Sequence, residues 1–118
     1  MRVGCLTLCI SAVLMPSLAS AQSFQVDVPK FVEASCKKCH GSDTQTLLDM
    51  TKLDYDLSDR DTFNTWVRIY ERVQNREMPP KSEPRIKRSV LEENLASMKT
   101  ALVEANIAAR GGQRTPLR

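Results

Sequence analysis

From Gln22 onward the apolar positions fall into three stretches of helical spacing separated by polar or breaker-rich segments. In the first, Val28, Phe31, Val32 and Ser35 recur at intervals of three and four, which predicts a helix over about 28–38. Asp27 stands where it can cap that helix, and Pro29 is tolerated in a first turn. Gly41, Ser42, Asp43 and Thr44 then break the pattern, and the chain reads as loop to Leu57. Within that loop Leu47, Leu48 and Leu53 are expected to point inward.

Ser58-Asp59-Arg60-Asp61 has the spacing of a capping box and predicts a helix start at Ser58. Phe63, Trp66, Val67, Tyr70 and Val73 follow as the clearest amphipathic stripe in the chain. Met78-Pro79-Pro80 is expected to end this helix, because a residue before proline is driven out of helical geometry. A third helix is predicted from Pro84 or Ser89 to about Arg110, with Ile86, Val90, Leu91, Leu95, Met98, Leu102 and Val103 as its apolar face. Gly111-Gly112 stops it, and 113–118 reads as an unstructured tail. No stretch alternates with period two, so the expected class is all-α.

The opening residues carry a different pattern. Arg2 precedes a mostly apolar run from Leu6 to Leu14, and Ala19-Ser20-Ala21 supplies small residues where a signal peptidase reads. This predicts a secretory signal peptide over 1–21, an export address, and a domain over 22–112 delivered to the periplasm or another extracytoplasmic space. The apolar run is shorter than the roughly 20 residues a spanning helix needs. No second such run follows, so no transmembrane segment is expected in the mature chain. Cys5 and Cys9 leave with the signal, and Cys36 and Cys39 remain.

A chain of 118 residues allows one domain and excludes scaffolds such as a complete α/β barrel, which takes about 250. A net charge of +3 is too mild to imply a nucleic-acid partner. Aromatics are only 5%, and so small a chain cannot build a rich interior alone; a bound group is expected to supply much of it.

Cys36-Lys37-Lys38-Cys39-His40 names that group. C-x-x-C-H is the attachment pattern of c-type haem. Two cysteines one helical turn apart can each add to a vinyl group of one porphyrin, and a histidine on the same face can reach the iron. A redox dithiol would want a βαβ context, and a structural zinc site usually wants four ligands. This chain retains two cysteines and its single histidine.

That single histidine excludes bis-histidine ligation within one chain, leaving Met50, Met78 and Met98 as candidates for the opposite axial position. Met50 follows His40 too closely, and Met98 reads as core between Leu95 and Leu102. Met78 is far enough along to cross the haem, and two prolines after it make a stiff strap. The alternative is that Met78 merely packs at a turn and the iron is five-coordinate or water-bound.

Trp66 can pack beside the haem or hydrogen-bond a propionate; a core tryptophan is the competing reading. Arg68 and Arg72 can approach a propionate or stay solvated. Lys37 and Lys38 can steer an acidic surface of a redox partner protein. Asp54, Asp56, Asp59 and Asp61 are not an EF-hand, since Asp59 and Thr65 stand where glycine and glutamate are required. The acids are explained by capping and solvation, and Arg85 to Arg88 by an exposed helix surface.

The order of these features resembles class I cytochrome c. A nearer resemblance is to the planctomycete-type haem c domains at the N-terminus of large exported proteins. It is carried by Phe31, Cys36-Lys37-Lys38-Cys39-His40-Gly41, Leu53-Asp54, Trp66 and Glu77-Met78-Pro79-Pro80, over about 28–105. The resemblance implies a small cytochrome c-like fold of three main helices wrapped round one covalently bound haem c. It also implies iron ligands His40 and Met78, and electron transfer rather than enzymatic catalysis. Many class I cytochromes orient the imidazole through a proline soon after the histidine, whereas here none follows His40 before Pro79. The expected function is that of an exported mono-haem electron carrier. The alternatives are a haem relay module or fragment of a larger exported enzyme, and a haem sensor with an open iron site.

Overall fold

The computed structural model describes residues 19–44 and 46–111. The predicted signal segment up to residue 18 and the predicted tail 113–118 lie outside the described residues. Three helices make up the regular structure: α1 over Ala19–Ser35, α2 over Arg60–Gln74 and α3 over Arg88–Gly111. Among the described residues there is no strand, so the class is all-α. None of these helices is long and apolar enough to cross a membrane.

The first helix begins well before the predicted start. Its apolar stripe extends back one turn to Phe24, which is buried together with Val28, Phe31 and Val32. Asp27 is therefore not a cap, and Pro29 lies inside the helix rather than in its first turn. An interior proline costs an isolated helix about 3 kcal/mol or more. Burying four large apolar side chains at about 1.5–3 kcal/mol each outweighs that. The helix also stops earlier than predicted, at Ser35. The cysteine motif occupies the turn that follows.

The start of α2 is one residue later than the capping-box reading. Asp59 is the N-cap, and its Oδ1 accepts the Thr62 N–H at 2.8 Å. Ser58 is not free to cap, because its N–H and hydroxyl both donate to Asp56 Oδ1, at 2.9 and 2.7 Å. Trp66, Ile69 and Val73 form the buried line of this helix, while Phe63, Val67 and Tyr70 flank it half-buried. Ile69 was absent from the predicted stripe.

The prolines do not end α2. The helix stops at Gln74, and Arg76 takes a left-handed φ of 60°. Glu77 N–H donates to Arg72 O at 2.9 Å and Arg76 N–H to Val73 O at 3.1 Å. That pair of bonds is a Schellman cap, which satisfies helix-end carbonyls before the prolines are reached.

The third helix packs against both others. Met98, Ala101 and Leu102 are its buried face, and Met98 is fully buried, as a core residue should be. Asn94 is buried among them and returns its Nδ2 to Val90 O at 2.8 Å. Val90 and Val103, assigned to the apolar face from spacing, are exposed. In the loop, Leu48 and Leu53 pack against the core, but Leu47 is fully exposed.

Candidate functional site

After Ser35 the chain continues as one tight turn. Cys39 N–H and His40 N–H both donate to Cys36 O, at 3.1 and 3.0 Å. The two thiols and the imidazole are thereby carried on a single turn whose backbone closes on Cys36. Gly41 continues it at close quarters: a Cβ there would stand 2.9 Å from Lys37 O. The loop beyond is tied back by Met50 N–H donating to His40 O at 2.8 Å and by Thr46 Oγ1 donating to Cys39 O at 3.1 Å.

This turn forms one wall of a cavity of about 770 Å³. That volume lies within the roughly 300–1,000 Å³ typical of small-molecule and cofactor sites. Cys36, Cys39 and His40 line the first wall, and Leu47, Leu48 and Met50 line the loop side. Arg68, Ile69, Arg72 and Val73 face it from α2. The last wall is the strap that leaves α2, with Met78, Pro79, Pro80 and Glu83. Leu47 thus has a reason to point away from the core: it borders this cavity.

Both cysteines are free thiols. Cys36 is half-buried, and burial pushes its thiol pKa up to about 11, so it is protonated at neutral pH. The Nδ1 atom of His40 is buried and has no hydrogen-bond partner. A buried imidazole nitrogen without a partner is costly, so its place beside two unpaired thiols calls for explanation. Among the described residues no group of three or more His, Cys, Asp or Glu side chains gathers round a metal point.

Of the residues singled out from sequence, the cavity brings together Cys36, Cys39, His40 and Met78, with Arg68 and Arg72 beside them. Trp66 is not among the lining residues. It is completely buried, and its Nε1–H donates to Asp54 O at 2.8 Å. Met50 lines the cavity but is held in the core, and Met98 is buried and not among the lining residues.

Charge at the rim is largely paired. Lys37 pairs with Glu33, one turn back on α1. Lys38 Nζ reaches Glu83 at 3.0 Å, and this contact holds the lysine's pKa above its ordinary value. Arg72 pairs with Glu77, and Arg68 Nε donates to Asn64 O at 3.4 Å. The sequence alone does not single out Glu83. It stands 45 positions from its partner, and no local pattern announces a pair at that separation.

The donor set fits a covalently attached haem. Two thiols are available for thioether bonds, and a histidine and a methionine stand on separate walls of a largely apolar cavity. No curated protein and no solved structure matches the chain. A family model does: residues 36–82 match planctomycete cytochrome C. The matched stretch contains Cys36, Cys39, His40, Met78 and most of the cavity wall, so this part of the chain is similar to planctomycete cytochrome C.

Proposed function

We propose that this chain is an exported mono-haem c-type cytochrome that carries single electrons, with iron ligands His40 and Met78. One observation carries the reading: a single cavity is lined by two free thiols, the chain's one histidine and the methionine of a proline strap. Cys36 and Cys39 would hold a haem through two thioethers, each formed by adding S–H across a vinyl C=C with no leaving group. His40 offers an imidazole nitrogen from the same turn, and Met78 offers its thioether sulfur from the strap.

When bound, the haem supplies an iron that alternates between ferrous and ferric states. The residues do the rest. A methionine paired with a histidine would raise the potential of a bound haem. With His40 and Met78 both holding the group, electron transfer would be favoured over catalysis. Ile69, Val73 and Ile86 exclude water from the cavity, and Arg68 and Arg72 offer guanidiniums to carboxylates at its edge. The leader pattern over 1–21 supports delivery to the periplasm, where a redox partner protein would meet the cavity edge.

Visible spectra of the purified oxidised and reduced holoprotein test this. A methionine–iron charge-transfer band in the far red should be present in the wild type and absent in Met78→Ala. Reduced wild-type protein should leave carbon monoxide unbound at neutral pH. Ready carbon monoxide binding would instead favour an open iron site.

A further inference from the structure

The strap that carries Met78 is held at two points. Where it leaves α2, Met78 N–H donates to Arg72 O at 3.2 Å. Further along, Glu83 meets Lys38 at 3.0 Å. Lys38 lies between the two cysteines, on the turn closed by Cys36 O. The ion pair therefore joins the attachment turn directly to the methionine strap, and both partners line the cavity.

The strap is suited to transmit such a hold. Pro79, Pro80 and Pro84 fix three of its φ angles. Glu83 N–H donates to Pro80 O at 3.0 Å and closes a turn between them. Restraining Glu83 thus restrains the short, stiff segment leading back to Met78. We propose that Lys38 and Glu83 form a clasp that keeps the strap over the cavity and so positions the Met78 sulfur. This rests on the reading of Met78 as an iron ligand.

The clasp is modest and sensitive to salt. Lys38 is 78% exposed and Glu83 31% exposed. Exposed pairs of this kind are worth little each and are screened by ions. The corresponding effect is about twofold to fivefold in an equilibrium constant.

Imidazole titration of the ferric holoprotein reads the clasp, because imidazole binds when the methionine leaves. At low salt Lys38→Gln and Glu83→Gln should each bind imidazole about twofold to fivefold tighter than wild type. The exchanged pair Lys38→Glu/Glu83→Lys should return to the wild-type value. In roughly 1 M salt, where the screening length is about 3 Å, the differences should vanish. Hydrogen exchange of the amides over 81–86 should quicken in the single variants and recover in the exchanged pair. Single variants indistinguishable from wild type in both measurements would overturn the clasp, as would a difference that ignores salt and charge exchange. A wild type with no far-red band would overturn the ligation, and with it the positioning role, whatever the exchange rates show.

Discussion

The indole of Trp66 donates its Nε1–H to the main-chain oxygen of Asp54 at 2.8 Å, from a position with no solvent exposure. The ring meets Phe24 of α1 edge-on at 5.1 Å between centroids, and Tyr55 of the loop at 5.0 Å. One side chain on α2 therefore ties α1 to the loop that follows the attachment turn. Trp66 itself is not among the residues that line the cavity.

Trp66→Phe keeps most of the packing and removes the donor. The Asp54 carbonyl then loses that partner, at a cost of about 0.5–1.5 kcal/mol. The urea midpoint of the holoprotein should fall accordingly while the visible spectrum stays that of wild type. A shift of the haem absorption in this variant would instead place Trp66 in contact with the group.

Gly41→Ala is expected to disturb attachment itself. The new Cβ would press on Lys37 O at 2.9 Å, and the atom that must yield is backbone within the Cys36–His40 turn. Crowding of this kind costs about 1–3 kcal/mol. Mass spectrometry of the purified protein should show a smaller fraction of chains carrying the group, with a matching loss of colour. Wild-type loading would mean that the turn relaxes freely.

Much of this could be read from residue order, and the failures share a cause. C-x-x-C-H and Met78-Pro79-Pro80 are local patterns, and the cavity does gather their side chains. The periodicity of Trp66 and Val73 located α2, and Met98 was recognisable as core from its neighbours. Local reading failed where tertiary packing set the outcome. Phe24 extends α1 past a proline because Tyr55 and Trp66 pack on it. Leu47 turns outward because a cavity lies beside it. Trp66 is buried, as its core reading expects, and the partner of its indole, Asp54 O, lies twelve positions back. The Lys38–Glu83 pair has no local signature at all.

Arg76 holds a left-handed φ of 60° to complete the cap of α2. That conformation costs a side-chain-bearing residue about 1–2 kcal/mol. Replacement by glycine removes the strain but frees the unfolded chain, which takes back about 0.4–1 kcal/mol. Arg76→Gly should therefore stabilise the holoprotein by about 0.5–1 kcal/mol, seen as a higher urea midpoint at unchanged slope. Arg76→Val, which tolerates positive φ poorly, should lower the midpoint.

Asp59 links stability to acid pH. Hydrogen bonds from Thr62 hold its carboxyl below the ordinary value of 3.8, so the folded state favours the carboxylate. A depressed folded pKa contributes stability that is complete above the ordinary carboxylate range and is lost as pH falls below about 3.8 toward the folded value. Asp49 and Asp56 are depressed in the same direction by bonds from Thr51 and Ser58, and they add to the same acid limb. Two substitutions separate the cap from the charge. Asp59→Asn keeps a side-chain oxygen for the Thr62 N–H but cannot titrate, so its stability should fall less steeply than wild type between pH 4 and 2, about where carboxylates protonate. Asp59→Ala loses the cap as well and should be less stable than Asp59→Asn at neutral pH. Thermal unfolding of the three holoproteins across that range checks both statements, and parallel acid limbs in wild type and Asp59→Asn would show that the charge of Asp59 contributes nothing.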